Sequence, residues 1–192
     1  HYLWKLADKK VFREIREKTG GKIKFFISGG SALNKDNAEF FDSIGLLILE
    51  GYGMTEASPV ISVNRMDNYK FGTVGPALEG VEVKIAEDGE ILVRGDNVMY
   101  GYYRNETDTG EMIIDGWLHT GDIGEIDNDG FLKITDRKKS LIKTASGKYI
   151  SLTHIEDALG TSEYIEQIIV FASDEKHFVT ALIVPDFDKL DE

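Results

Sequence analysis

The apolar positions in the first third of the chain follow a strand–helix–strand pattern. Residues 23–27 and 46–49 are short apolar runs typical of buried strands. Between them, a helical pattern begins after a candidate N-cap, Asn34, and ends at Gly45. Two strands joined in this way run parallel through a right-handed crossover. The pattern therefore predicts a βαβ unit.

Short alternating runs broken by Asp-Gly turns occupy the middle of the chain, from residue 74 to residue 134. Such runs predict β-hairpins, and several in succession predict a β-rich, barrel-like subdomain. The predicted hairpin strands are 81–85 with 90–94, and 123–126 with 131–134. A helical pattern at 151–159 and apolar runs at 167–171 and 179–184 predict a small α+β unit at the end.

The predicted fold is thus mixed α/β and α+β, with three regions. Residues 1–72 form the tail of a βαβ parallel-sheet subdomain, residues 73–135 form the β-rich subdomain, and residues 140–192 begin a small, incomplete α+β C-terminal domain. The charged segment 136–139 is the candidate hinge. An amphipathic helix is predicted at 2–18, and its expected buried stripe consists of Leu3, Leu6, Val11 and Ile15.

Composition narrows the function classes. The chain has 192 residues, of which 42% are hydrophobic, so it is long enough to bury a core. A net charge of −12 argues against nucleic acid as the main partner. The absence of cysteine removes disulfides and thiolate metal sites and fits a reducing, cytoplasmic compartment. No signal peptide or apolar run of membrane-spanning length is found in the sequence.

One stretch runs against the acidic balance. Basic residues dominate from Lys133 to Lys148, where Asp136 is the single acid. Two interpretations stay open, a solvated face and a phosphate-binding surface.

The hexapeptide at 51–56, Gly-Tyr-Gly-Met-Thr-Glu, follows the second predicted strand and combines three kinds of chemical group. Two glycines allow a sharp turn and a close approach of the backbone to a ligand. Tyr52 offers an aromatic face, Thr55 a hydroxyl and Glu56 a carboxylate, a set that suits a purine, a phosphate and a divalent cation. A second turn, Ser-Gly-Gly-Ser at 28–31, follows the first strand at the sheet edge where open α/β sheets bind ligands. A purely architectural role is the alternative for both turns.

These segments resemble the adenylate-forming superfamily, and within it the long-chain fatty acyl-CoA synthetases. Five segments carry the resemblance in the family order: 28–30 (SGG), 51–56 (GYGMTE), 116–122 (GWLHTGD), 130–139 (from GF to DRKK) and 143–151 (KTASGKYIS). The set spans nearly the whole chain.

The resemblance implies an adenosine site built from several of these segments. It implies that Gly29, Gly30 and Tyr52 line the adenine pocket, with the Tyr52 ring stacked on the purine, and that Ser31 and Gly53 also bind the nucleotide. Thr55 would hold a phosphate oxygen, and Glu56 would help to bind Mg²⁺, which prefers oxygen ligands. Asp122 would accept hydrogen bonds from both ribose hydroxyls, with Arg137 beside the same sugar.

The resemblance also implies a two-step reaction with ATP, Mg²⁺, coenzyme A and a fatty acid. A carboxylate attacks the α-phosphate of ATP to give an acyl-adenylate and pyrophosphate, and the coenzyme A thiol then displaces AMP. Lys139 aligns with the hinge residue, while Lys143 and Gly147 lie in the loop of the thioester-forming step. Lys143 or Lys148 would meet coenzyme A phosphates. Contact with a membrane surface is an open possibility, because long-chain members of the family often work there.

Two parts of the family pattern are absent from the sequence. There is no Ser/Thr- and Gly-rich phosphate loop that ends in Pro-Lys-Gly, and no late lysine of the C-terminal motif. We therefore expect this chain to be a piece of a longer enzyme, inactive or nearly so alone, and prone to self-association through uncovered strands. The alternatives are an aryl- or amino-acid-activating enzyme and a non-catalytic nucleotide-binding module.

Overall fold

A computed structural model describes residues 7–143, 149–172 and 178–190. The chain divides into two units. The first unit comprises His1–Thr120 and Gly124–Ile134, and the second comprises Gly121–Ile123 and Thr135–Glu192. In the described ranges, no helix is long and apolar enough to cross a membrane.

The first unit begins with a helical segment that is less buried than its pattern predicts. A π-helical turn, Asp8–Phe12, leads into α1, Arg13–Lys18. The predicted burial of Val11 is wrong, since this side chain is 50% exposed, and Leu3 and Leu6 lie outside the described residues. A polar contact holds the segment instead, because the Arg16 guanidinium donates to the carbonyl oxygen of Ile44 at 2.6 Å.

The predicted βαβ unit is confirmed. Strands β1, Phe26–Ser28, and β2, Ile48–Gly53, pair in parallel around helix α2, Lys35–Ser43. The Asn34 side chain caps α2 by accepting hydrogen bonds from the backbone N–H groups of the second and third helical residues. Gly45, with φ of 82°, follows the end of the helix as predicted.

The predicted turn at 51–56 needs correction. Strand β2 continues through Gly53, because β3, Val60–Val63, pairs antiparallel with its last three residues. The chain leaves the sheet only afterwards, through a 3₁₀ turn at Thr55–Ala57. The glycines at 51 and 53 therefore serve strand packing, and not a sharp turn.

A five-stranded sheet follows, with the order β4-β5-β7-β6 and with β8 paired to β7. Its strands are β4 (Val81–Ile85), β5 (Glu90–Gly95), β6 (Ile113–Ile114), β7 (Trp117–Ile126) and β8 (Leu132–Arg137), and α3 (Glu106–Met112) precedes β6. Both predicted hairpins are confirmed. The sheet is open, since no pairing among the described strands joins β4 to β6. The subdomain is therefore β-rich as predicted, but it is not a closed barrel.

The hydrophobic core of the first unit joins the three-stranded sheet to the five-stranded sheet. One buried cluster combines residues of β2, β3, β5, β7 and β8 with one residue of the 3₁₀ turn and one of the segment before β4: Tyr52, Ala57, Ile61, Val74, Ile91, Val93, Leu118 and Leu132. The predicted binding segment at the end of β2 is therefore anchored by side chains from the core.

The second unit has the predicted helix and strands. It contains a 3₁₀ turn (Lys138–Ser140), the pair β9 (Leu141–Lys143) and β10 (Tyr149–Ser151), α4 (Leu152–Gly160), the pair β11 (Ile165–Phe171) and β12 (Thr180–Pro185), and α5 (Phe187–Leu190). Ser151 caps α4 by accepting a hydrogen bond from the His154 N–H at 3.0 Å. One face of β11–β12 exposes Ile169, Phe171, Leu182 and Val184. Self-association stays a prediction, which sedimentation velocity can test.

Candidate functional site

The glycine-rich loop after β1 lies directly against the end of β2. In the parallel register Ser28 faces Glu50, and a Cβ on Gly29 would lie 3.3 Å from the carbonyl oxygen of Gly51. Gly30 has a φ of 86°, which favours glycine, and Gly29, Gly30 and Ser31 are all exposed. The fold thus brings the two predicted binding segments, 28–31 and 51–56, to one sheet edge.

The carboxylate of Glu50 holds the backbone together at this edge, although Glu50 was not among the predicted site residues. The residue is 7% exposed, and its Oε2 accepts a hydrogen bond from the Leu33 N–H at 3.4 Å. Burial raises the pKa of the Glu50 carboxyl, while hydrogen bonds from the Leu33 and Gly72 backbone act in the opposite direction. One buried carboxylate therefore connects the loop after β1, strand β2 and the segment at Gly72.

The raised pKa of Glu50 predicts a specific pH dependence of stability. The folded protein binds this proton more tightly than the unfolded chain, whose Glu has an ordinary pKa of 4.5. The contribution of Glu50 to stability is therefore greatest below pH 4.5 and is lost as pH rises through the folded-state pKa. This decline in the free energy of unfolding is at most about 1.4 kcal/mol per pH unit, and Glu50→Gln should remove it. Urea unfolding followed by circular dichroism, from acidic to neutral pH, measures it.

Glu79→Gln is the matched control for this prediction, because Glu79 is exposed. It should leave the slope of unfolding free energy against pH as it is in the unchanged protein. Identical slopes for Glu50→Gln and the unchanged protein would contradict the assignment of a perturbed Glu50.

Tyr52 points into the core of the first unit. It is 8% exposed and belongs to the buried cluster described above. Little of its ring surface is thus open to solvent. Its stacking on a purine stays a prediction, and one that requires the exposed edge of the ring or a shift of the side chain.

Thr55 and Glu56 stand beyond the sheet edge, on the 3₁₀ turn. Thr55 is exposed, whereas Glu56 is half-buried and held by a loop from after β5. The Tyr102 hydroxyl donates to Glu56 Oε1 at 2.7 Å, and the Met99 N–H donates to the Glu56 carbonyl oxygen at 2.8 Å. The hydrogen bond to this carboxylate, with a contribution from burial, raises the pKa of Tyr102 to about 12. Tyr102 was not among the predicted site residues.

Asp122 and Arg137 lie together in the second unit. The Arg137 Nε is 3.4 Å from Asp122 Oδ1, and the side chains are 75% and 12% exposed, respectively. Strand β7 carries Asp122 and strand β8 carries Arg137, so strand pairing sets their separation. The geometry offers a carboxylate held in place by a neighbouring cation whose guanidinium remains largely open to solvent.

Two residues near Asp122 on β7 have structural contacts. His119 Nδ1 lies 3.0 Å from Oε2 of the buried Glu90. The Trp117 ring makes two cation–π contacts, with Lys84 Nζ at 3.9 Å and Arg94 Cζ at 4.5 Å from its centroid. Of the remaining predicted residues, Gly147 lies outside the described residues, as does the side chain of Lys143.

Comparison with protein families matches residues 2–103 to the family described as AMP-binding enzyme. A long-chain fatty acid–CoA ligase of Mycobacterium bovis is 44% identical over 179 residues, which cover 93% of this chain and 30% of that protein. Long-chain fatty acid–CoA ligase 1 of Saccharomyces cerevisiae is 37% identical over 187 residues, covering 91% and 27%. The chain thus spans less than a third of the length of these relatives.

Solved structures agree with the fold. The o-succinylbenzoate coenzyme A synthetase of Bacillus subtilis in complex with AMP matches with a TM-score of 0.76 at 30% identity, covering 91% of this chain and 39% of that one. The same enzyme with ATP and magnesium matches with a TM-score of 0.75 at 27% identity, covering 93% and 42%.

Proposed function

Since the chain belongs to the AMP-binding enzyme family, we propose that it is part of an ATP-dependent long-chain fatty acid–CoA ligase. The observation that carries this proposal is the 44% identity to a long-chain ligase across 93% of the chain. The substrates would be a long-chain fatty acid, ATP and coenzyme A. A cytoplasmic location, with peripheral contact to a membrane that holds the fatty acid, belongs to the same proposal.

Asp122 and Arg137 suit the ribose of the nucleotide. A carboxylate has two acceptor oxygens and can take a hydrogen bond from each ribose hydroxyl. The neighbouring guanidinium, whose Nε lies 3.4 Å from Asp122 Oδ1, would restrict the orientation of the carboxylate. The largely exposed Arg137 has further N–H groups to offer to the same sugar. Gly29, Gly30 and Ser31, which are exposed, would provide the adenine edge together with Gly53.

Glu56 and Thr55 suit the phosphates and their metal ion. In the part of the chain that the structure describes, no group of three or more metal-ligating side chains occurs. A single carboxylate fits Mg²⁺, which takes one or two protein carboxylates and completes its shell with phosphates and water. When bound, Mg²⁺ would neutralise charge on the polyphosphate. Thr55 is exposed, and its hydroxyl would donate to a phosphate oxygen.

The second half of the reaction would involve the start of the C-terminal unit. There the coenzyme A thiol would lose its proton to solvent and form a C–S bond to the acyl carbonyl carbon, and AMP would leave with the electron pair of the broken C–O bond. We assign Lys143 and Gly147 to this step, and Lys139 to the hinge at 136–139, from the resemblance of segments 136–139 and 143–151 to the family motifs. A cationic loop is suited to the phosphates of coenzyme A.

The test is a comparison of the full-length protein with the 192-residue chain. We expect the full-length protein to exchange pyrophosphate into ATP in the presence of palmitate, and to form palmitoyl-CoA and AMP. The isolated chain should show no exchange, because the sequence lacks the phosphate loop and the late lysine. Robust exchange by the isolated chain would contradict the predicted inactivity, and no thioester from the full-length protein would contradict the ligase proposal.

An aryl- or amino-acid-activating enzyme is the second candidate, favoured by the 30% identity to the o-succinylbenzoate synthetase. Pyrophosphate exchange measured with palmitate, benzoate and amino acids distinguishes this candidate from the long-chain ligase. The long-chain proposal requires palmitate to give the highest kcat/KM. A non-catalytic module would instead bind AMP and turn over none of these acids.

A further inference from the structure

Glu56 is held from two sides by the loop that follows β5. The Met99 N–H fixes its backbone carbonyl at 2.8 Å, and the Tyr102 hydroxyl fixes its carboxylate at 2.7 Å. Tyr102 and Glu56 are 46 residues apart in the chain, so this contact is a product of the tertiary fold. Its 2.7 Å length is that of a well-formed O–H···O hydrogen bond.

The loop itself is fixed by α3, so that Tyr102 is not a freely moving partner. The Tyr102 N–H donates to Thr109 Oγ1 at 2.9 Å, and that hydroxyl donates to the Asn105 carbonyl oxygen at 2.7 Å. Gly101 packs so closely that a Cβ there would lie 2.6 Å from Thr109 Cγ2. The Tyr102 hydroxyl therefore reaches Glu56 from a turn that is hydrogen-bonded to α3.

The neighbouring tyrosines differ from Tyr102, because their side chains are exposed. Tyr100 and Tyr103 on the same loop are 105% and 85% exposed. Tyr102 is the tyrosine of this loop whose hydroxyl meets the carboxylate. Among the residues that the structure describes, the Tyr102 hydroxyl is the hydrogen-bond partner of Oε1, and Oε2 accepts no hydrogen bond from them.

We propose that Tyr102 is a positioning residue for Glu56: its hydroxyl holds one carboxylate oxygen, so that the other is presented in a fixed direction to the divalent cation that accompanies the nucleotide. This inference rests on the proposed function, in which Glu56 meets Mg²⁺. Without the hydroxyl, the carboxylate would rotate between orientations, and the entropy of fixing it would reduce the affinity for the cation.

The experiment measures ATP affinity of the full-length protein by calorimetry, once with Mg²⁺ and once with EDTA. The ratio of the two dissociation constants gives the gain from Mg²⁺ without any catalytic turnover. Tyr102→Phe should reduce this gain about tenfold, the lower end of the effect of losing a partner of a metal ligand. Affinity for metal-free ATP should stay within about twofold, which also shows that the variant is folded.

Tyr100→Phe and Tyr103→Phe are the matched controls, since each removes a hydroxyl from the same loop at an exposed position. Both should keep the gain from Mg²⁺ within about twofold of that of the unchanged protein. A gain in Tyr102→Phe that equals those of the controls would overturn the proposal.

Glu56→Gln separates this proposal from the proposed function. Loss of the gain in Glu56→Gln, with no further loss in the Glu56→Gln/Tyr102→Phe double variant, would support action through Glu56. An unchanged gain in Glu56→Gln would contradict the role of Glu56 itself. If Tyr102→Phe does not fold, a crystal structure of the unchanged protein with Mg²⁺ and ATP decides: the proposal requires Tyr102 Oη within about 3.2 Å of a Glu56 oxygen that is not on the metal.

Discussion

Replacement of Gly53 by alanine is expected to lower the free energy of unfolding by about 3 kcal/mol or more. A Cβ at this position would lie 1.8 Å from the carbonyl oxygen of Pro59 and 2.9 Å from the Cα of Val60. Both are backbone atoms of the segment that pairs with the end of β2, so no side-chain rotation relieves the overlap. Strands β2 and β3 would have to separate. Urea unfolding of the 192-residue chain measures the effect.

Gly51→Ala supplies the control on the same strand. There the new Cβ would meet Val63 Cγ2 at 3.4 Å, which is ordinary van der Waals contact. We expect a change of about 1 kcal/mol or less. Equal stability of the two variants would show that the approach of Pro59 to Gly53 does not constrain the strand.

Asp122→Ala in the full-length protein should weaken ATP binding about 10- to 150-fold. This range corresponds to the loss of roughly 1.5–3 kcal/mol from a hydrogen bond to a charged group. The change also leaves Arg137, whose Nε lies 3.4 Å from Asp122 Oδ1, without this anionic neighbour. Calorimetric titration with ATP gives the dissociation constants. Asp122→Asn keeps the shape and one acceptor oxygen, so its loss should be smaller.

Asp157→Ala serves as a control for Asp122, because it removes an exposed carboxylate from α4 of the same unit. ATP affinity should be unaffected there. If the Asp122 variants bind ATP as tightly as the Asp157 variant, the ribose assignment must be abandoned, and the contact with Arg137 is then purely structural.

Local signals in the sequence predicted most of the secondary structure. Asn34 as a cap and Gly45 as a stop define α2 because each acts on backbone groups within a few residues. The hairpins were predictable for the same reason, since Gly89, with φ of 87°, and Gly130, with φ of 84°, set their turns. The pairing of Asp122 with Arg137 follows from strand pairing between β7 and β8, which share one of these hairpins.

The remaining features depend on contacts between distant parts of the chain. The length of β2 depends on β3, and so residues 51–53 resembled a turn when considered alone. The exposure of Val11 shows that a helical stripe predicts burial only where another element covers it. Glu50 is hydrogen-bonded to Leu33, and Tyr102 to Glu56, and the partners of each pair lie far apart in sequence. An acid immediately after the apolar run 46–49 was the one local signal for Glu50.

The contacts of the Trp117 ring with Lys84 and Arg94 give the protein an intrinsic optical reporter. The chain has two tryptophans, Trp4 and Trp117, so Trp4→Phe would leave a single indole. Strand β7 carries this indole five residues before Asp122. Nearby cations shift indole emission, and any nucleotide-induced rearrangement of the strand would thus be visible as a change in fluorescence, without a label and in real time.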